Sequence, residues 1–142
     1  MFGGRNKRIE TAMELFGPPA SESECEALFS RLPQHFEVVR LPGERVYKSL
    51  TVADVKLRKS GVAWKDCERQ LLPTTHRLFI GRPGGQEQIP YDEIERLRSR
   101  IFGTQGVIRF RAFGDDYHFS TKRLAAPAFQ SFVESLIANA KT

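Results

Sequence analysis

Residues 76–120 read HRLFIGRPGGQEQIPYDEIERLRSRIFGTQGVIRFRAFGDDYHFS, and this stretch decides the fold. Turn-forming residues interrupt its apolar runs three times. Arg82-Pro83-Gly84-Gly85 separates residues 76–81 from the run that begins at Gln86. Gly103-Thr104-Gln105-Gly106 separates residues 94–101 from 107–113, and Gly114-Asp115-Asp116 leads into 117–120. Glycine, proline and aspartate at such points supply the backbone angles that a hairpin needs. Between the turns, apolar and polar residues alternate with the two-residue period of a half-buried strand. The pattern predicts strands at 76–81, 87–91, 94–101, 107–113 and 117–120, in an antiparallel meander.

Working outward, residues 45–50 and 67–73 predict two further strands, with 52–58 extending the earlier one. Downstream, Ala125-Ala126-Pro127-Ala128 opens a helix, with proline placed in the first turn. Phe129, Phe132, Val133, Leu136, Ile137 and Ala140 follow at spacings of three and four, an apolar stripe whose only large partner is the sheet. Upstream of residue 38 the texture is helical. Ile9, Met13, Leu15 and Phe16 keep near-helical spacing until Gly17-Pro18-Pro19. Ser21 or Ser23 then caps a second helix, Ser23 with Glu26 forming a capping-box pattern, and that helix carries Leu28, Phe29 and Leu32 as far as Pro33. The fold class is α+β: a curved antiparallel sheet or partly open barrel of about seven strands, capped by a C-terminal helix. Residues 1–38 form a helical N-terminal extension and 39–142 the main domain.

Composition narrows the function classes. The chain has 142 residues, 40% of them hydrophobic, which is the size of one domain and too apolar for disorder. No apolar run approaches the roughly 20 residues of a membrane span, and the basic opening Met1–Arg8 leads into no apolar segment of a secretory signal. Two cysteines, Cys25 and Cys67, are too few for a disulfide framework or an all-cysteine metal site. These features predict a cytoplasmic protein, peripheral to the membrane if it meets one. The net charge of +5 favours anionic partners, and residues 1–35 hold 4 basic and 5 acidic side chains, so the excess lies downstream.

Three short motifs carry a family resemblance. Leu41-Pro42-Gly43-Glu44-Arg45-Val46 resembles the opening of bacterial pleckstrin-homology-like (PH-like) domains and of the related GRAM domains. Leu72-Pro73-Thr74-Thr75-His76-Arg77-Leu78-Phe79-Ile80 resembles their T-x-x-R-L strand, and Ile89-Pro90-Tyr91-Asp92-Glu93-Ile94 resembles the I-P-Y-x-x-I segment that follows. The similarity covers about residues 40–141. It implies a PH-like sheet closed by a helix, and a binding module without chemistry or a cofactor of its own, whose relatives contact phosphoinositides, protein partners or further copies of themselves.

Two basic clusters are candidate sites. In 94–101, Arg96, Arg98 and Arg100 alternate onto one face opposite Leu97 and Ile101. In 107–113, Arg109 and Arg111 do the same opposite Ile108, Phe110 and Ala112. If the two strands pair, five arginines share one surface suited to phosphate or carboxylate. The competing reading pairs them internally with Glu93, Glu95, Asp115, Asp116 or the acidic N-terminal helix. The second cluster is Lys56, Arg58, Lys59, Lys65 and Arg69 around Trp64, where Lys48, Lys56 and Arg58 give the K-x7-K-x-R spacing that resembles a lipid-binding loop. Its competing reading is a solvated hairpin with Trp64 in the core.

Catalytic and metal motifs are not apparent. His35, His76 and His118 fall in no recognisable motif, no P-loop or HExxH occurs, and Cys67 beside Lys65 and Arg69 reads as a core position. Nucleic acid is disfavoured, because 107–113 lacks the glycine-aromatic pattern of an RNA-binding strand and no helix is densely basic. The sequence therefore predicts a non-enzymatic module for an acidic protein or an anionic membrane surface. The alternative is a structural subunit that self-associates through sheet edges or the N-terminal helices.

Overall fold

Serine 21 caps the helix that follows the Gly17-Pro18-Pro19 break. Its hydroxyl accepts the Glu24 amide at 3.3 Å and donates to Glu24 Oε1 at 3.0 Å, so the capping serine is Ser21 and not Ser23 of the expected Ser23–Glu26 box. Helix α1 (Glu22–Arg31) follows, with two glutamates in its first turn. The computed structural model describes residues 14–31, 40–58, 61–63, 68–82 and 85–140, with backbone alone at 31, 56–58, 61–63, 82 and 85. The expected helical residues Ile9, Met13 and Leu32 lie outside these, as does Pro33.

The strands are β1 (Leu50–Asp54), β2 (Lys56–Arg58), β3 (Gly61–Ala63), β4 (Glu68–Pro73), β5 (Arg77–Arg82), β6 (Gly85–Pro90), β7 (Glu95–Phe102), β8 (Gln105–Ala112) and β9 (Asp115–Lys122). A 3-10 turn, Tyr91–Glu93, joins β6 to β7, and helix α2 (Ala125–Ala140) ends the fold. Seven strands form one open antiparallel sheet in the order β6-β5-β4-β1-β9-β8-β7, while β2 and β3 make a separate two-stranded ribbon. The expected strand at 45–50 is corrected: Val46 makes only an isolated bridge to Thr74, and the strand begins at Leu50. Three of the expected hairpins are present, β5–β6, β7–β8 and β8–β9.

The sheet curls around its core. The Tyr117 hydroxyl on β9 donates to Glu87 on β6, although three strands stand between them in the sheet. On a flat sheet those strands would be about 19 Å apart. Into the concave side α2 packs Phe129, Phe132, Val133 and Leu136, the predicted stripe, while Ala140 at its end is exposed. Gly106 on β8 permits this closure. A Cβ there would meet the Lys122 carbonyl at 2.6 Å and Ala126 Cβ at 2.7 Å, so only glycine lets β8 approach the start of α2.

The N-terminal segment belongs to the same core. Phe16 is fully buried, stacked on Phe132 at 5.0 Å and edge-on to Phe129 at 5.9 Å. Backbone hydrogen bonds tie Ala20 to Val46 and Lys48 to Phe16. Helix α1 covers the other side of β5, its Phe29 meeting Phe79 at 6.1 Å and its Cys25 buried beside the Val46 amide. Phe16, inside the expected N-terminal extension, thus packs into the core of the main domain.

Candidate functional site

Alternation along β8 sends Gly106, Ile108, Phe110 and Ala112 inward and Val107, Arg109 and Arg111 outward, as the sequence predicted. Register then decides which outward side chains meet. One row across β7, β8 and β9 is Glu95–Arg111–Asp116. The next is Arg98–Arg109–His118, and the third Arg100–Val107–Ser120. The first row sets two carboxylates against one arginine: Arg111 Nε lies 3.4 Å from Asp116 Oδ1, and its Nη2 donates to the Gly114 carbonyl. Arg111 is thus an internally paired arginine, the competing reading made real at this one position.

The second row holds no carboxylate. Arg98 and Arg109 stand directly opposite each other and His118 continues the line. Among the described residues no carboxylate lies within ion-pair distance of Arg96, Arg98 or Arg109. Burial, then the charge of Arg109, hold the His118 imidazole below its ordinary value. The guanidinium of Arg100 lies over the Phe102 ring at 4.8 Å.

The expected arrangement needs correction at β7. A bulge between Glu95 and Arg98 inserts an extra residue, and Arg96 sits there with φ 54°. Simple alternation therefore does not place Arg96 with Arg98 and Arg100. All five arginines nevertheless line one open concavity of about 820 Å³, with Asp116 at its rim. Ile101, expected inside with Leu97, is 44% exposed, whereas Leu97 is partly buried against the core. Helix α2 holds this edge strand through Gln130, which donates to the Leu97 carbonyl and accepts from Ser99.

Most of the second cluster lies outside what the structure describes. Lys56 and Arg58 fall on β2, where only the backbone is described, and Lys59, Trp64, Lys65 and Cys67 lie outside the described residues. Arg69 is turned to structure: its Nε and Nη2 both reach Asp54 Oδ2 at 2.9 Å in a mostly buried pair. Lys48 precedes β1 and Lys56 follows it, about 26 Å of extended chain apart. The K-x7-K-x-R spacing thus spans a whole strand. His76, exposed on the β4–β5 turn, and His118 within β9 serve no common centre, and His35 lies outside the described residues.

Reading the sequence alone missed a buried ionic knot. Glu44 is fully buried and accepts from Arg77 Nε at 3.0 Å and Nη2 at 2.8 Å, from the Thr74 hydroxyl at 2.7 Å and from the Leu41 amide at 3.0 Å. The Tyr91 hydroxyl donates to the Thr74 carbonyl at 2.6 Å, and Arg77 also reaches Gln88 and lies over Phe79. Burial raises the Glu44 carboxyl, but the bonds from Arg77, Thr74 and Leu41 outweigh it and hold it below its ordinary value. The three sequence motifs 41–46, 72–80 and 89–94 therefore meet in one place, and what they build there is structural. Glu44 has no spare oxygen for a ligand.

No described helix is long and apolar enough to cross a membrane. Among the described residues no group of three or more His, Cys, Asp or Glu is placed to hold a metal. No family model matches the chain, and no curated protein matches it. Among solved structures it is similar to the hSac2 domain from human phosphoinositide phosphatase Sac2, with a TM-score of 0.45 and 9% identity over 86% of this chain and 84% of that one.

Proposed function

We propose that this chain is a PH-like, non-enzymatic binding module that holds an anionic partner on the outer face of β7, β8 and β9. The observation that carries the reading is the Arg98–Arg109–His118 row. Like charges directly opposite each other across strands oppose pairing, so a bound phosphate or carboxylate offsets a cost that the fold otherwise carries. The strand order, the curl of the sheet and the helix closing it support the PH-like assignment. The internal use of Glu44, Arg77 and Arg69 leaves the outer-face arginines as the groups turned toward a partner.

The test is binding of labelled polyglutamate and of phosphatidylserine-containing vesicles at low and high salt, for wild type and Arg98→Glu/Arg109→Glu. At least one of the two is held at low salt, weakens as ionic strength passes about 0.15 M, and is lost in the variant. Binding to neither, or binding equal in the variant, sinks the reading. A self-associated mass that survives high salt, together with no anion binding, supports the structural-subunit alternative instead.

A further inference from the structure

Resting on that reading, we propose that the partner is an anionic membrane, met tip-first by the end of the sheet that carries the β7–β8 turn. Three large apolar side chains stand in water there: Ile101 at 44%, Phe102 at 54% and Leu124 at 62% exposure. Register places them together. Phe102, Gln105 and Lys122 form one row, Ile101 lies beside Gly106, and Leu124 follows β9 at the start of α2, where Gly106 lets the strand and helix close up. The apolar group is ringed by cations, Arg100 over the Phe102 ring and the exposed Lys122 and Arg123. Residues 96–114 contain five arginines and no carboxylate, and residues 117–133 contain none either. Glu68 lines the neighbouring groove together with Thr104, Lys122 and Arg123.

Apolar side chains within a cationic collar match the two layers of an anionic bilayer surface, acyl boundary below and headgroup above. The other end of the same hairpins exposes Phe113 at 56%, but beside Asp115 and Asp116, which repel an anionic surface. The sheet is thus polar end to end, and the basic apolar end is the one that docks.

An environment-sensitive fluorophore distinguishes the ends. It is placed on Phe102→Cys or on Phe113→Cys, each in a Cys67→Ser background, with phosphatidylcholine vesicles with and without phosphatidylserine. The expected result is a blue shift at 102 and none at 113, only with phosphatidylserine. Phe102→Ser/Leu124→Ser, native by circular dichroism, then partitions about a hundredfold less well, roughly tenfold for each of the two large apolar side chains withdrawn, while its salt-dependent attraction persists. A shift at 113 instead of 102, no shift at either site, or a serine variant that partitions like wild type overturns the proposal. If wild type ignores these vesicles but holds polyglutamate through Arg98 and Arg109, the tip proposal falls and the broader reading stands. If it holds neither, both fall.

Discussion

Glu44 follows Pro42 and Gly43, and in the sequence it has the look of an ordinary turn carboxylate. Its burial becomes visible only when residues some thirty positions away, Thr74 and Arg77, arrive beside it. A charge taken out of water is tolerated when its partners are fixed and its oxygens are all used, and removing one partner leaves the other stranded. Glu44→Gln is expected to destabilise the fold by about 3 kcal/mol, measured by urea unfolding at neutral pH. The pH dependence follows in sign. The folded carboxyl holds its proton less tightly than the unfolded one, whose ordinary value is 4.5, so its contribution is complete above that pH and is lost as pH falls below it. Wild type therefore loses stability on acidification more steeply than Glu44→Gln does. Equal acid slopes, or a variant as stable as wild type, contradict this assignment.

Among the elements, the hairpins were legible because their turns are chemically specific. The β7–β8 turn is Gly103-Thr104, with Gly103 at φ 57°, where glycine was expected. The β8–β9 turn falls one residue earlier than its Gly-Asp-Asp signal indicates. Ala112 pairs with Asp115, so the two turn residues are Phe113 and Gly114, at φ 55° and 81°. Two positive φ angles define a type I′ turn, which favours Asn-Gly and is strained with a phenylalanine first. Phe113→Asn is expected to stabilise the protein by about 1 kcal/mol, read as a raised urea midpoint with unchanged slope. A lowered midpoint contradicts the turn assignment. The bulge in β7 had no comparable signal: Glu95-Arg96-Leu97-Arg98 alternates well enough to pass for a regular strand. That is why the sequence placed five arginines on one regular face, while the structure gives a concavity lined by a row of two arginines and a histidine, Arg100 over Phe102, a paired Arg111 and a bulged Arg96. His118 was missed as a member of the row because cross-strand register is not written in either strand alone.

Over the whole molecule, the N-terminal third was the least legible part. The hydrophobic spacing predicted helices, but nothing local shows that Phe16 enters the core on one side of the sheet while α1 covers Phe79 on the other. The charge distribution is similar. The sequence shows an excess of five positive charges, and only the folding of β7, β8 and β9 sorts them, with Glu93, Glu95, Asp115 and Asp116 toward one end and Arg98, Arg100, Arg109, Lys122 and Arg123 toward the other. The concave side of the sheet is filled by α2, so the surface left open for the proposed partner is the outer face and its tip.

The most direct test of the outer-face site is an NMR titration of His118, with and without a saturating amount of whichever anionic partner the protein holds. In the unbound protein the imidazole titrates below its ordinary value, because burial and Arg109 both disfavour its charged form. An anion seated on the Arg98–Arg109–His118 row offsets that repulsion, so the His118 pKa rises on binding and the partner binds more tightly as pH falls through it. A His118 titration unmoved by a partner that is demonstrably bound would place that partner off this row and contradict the outer-face site.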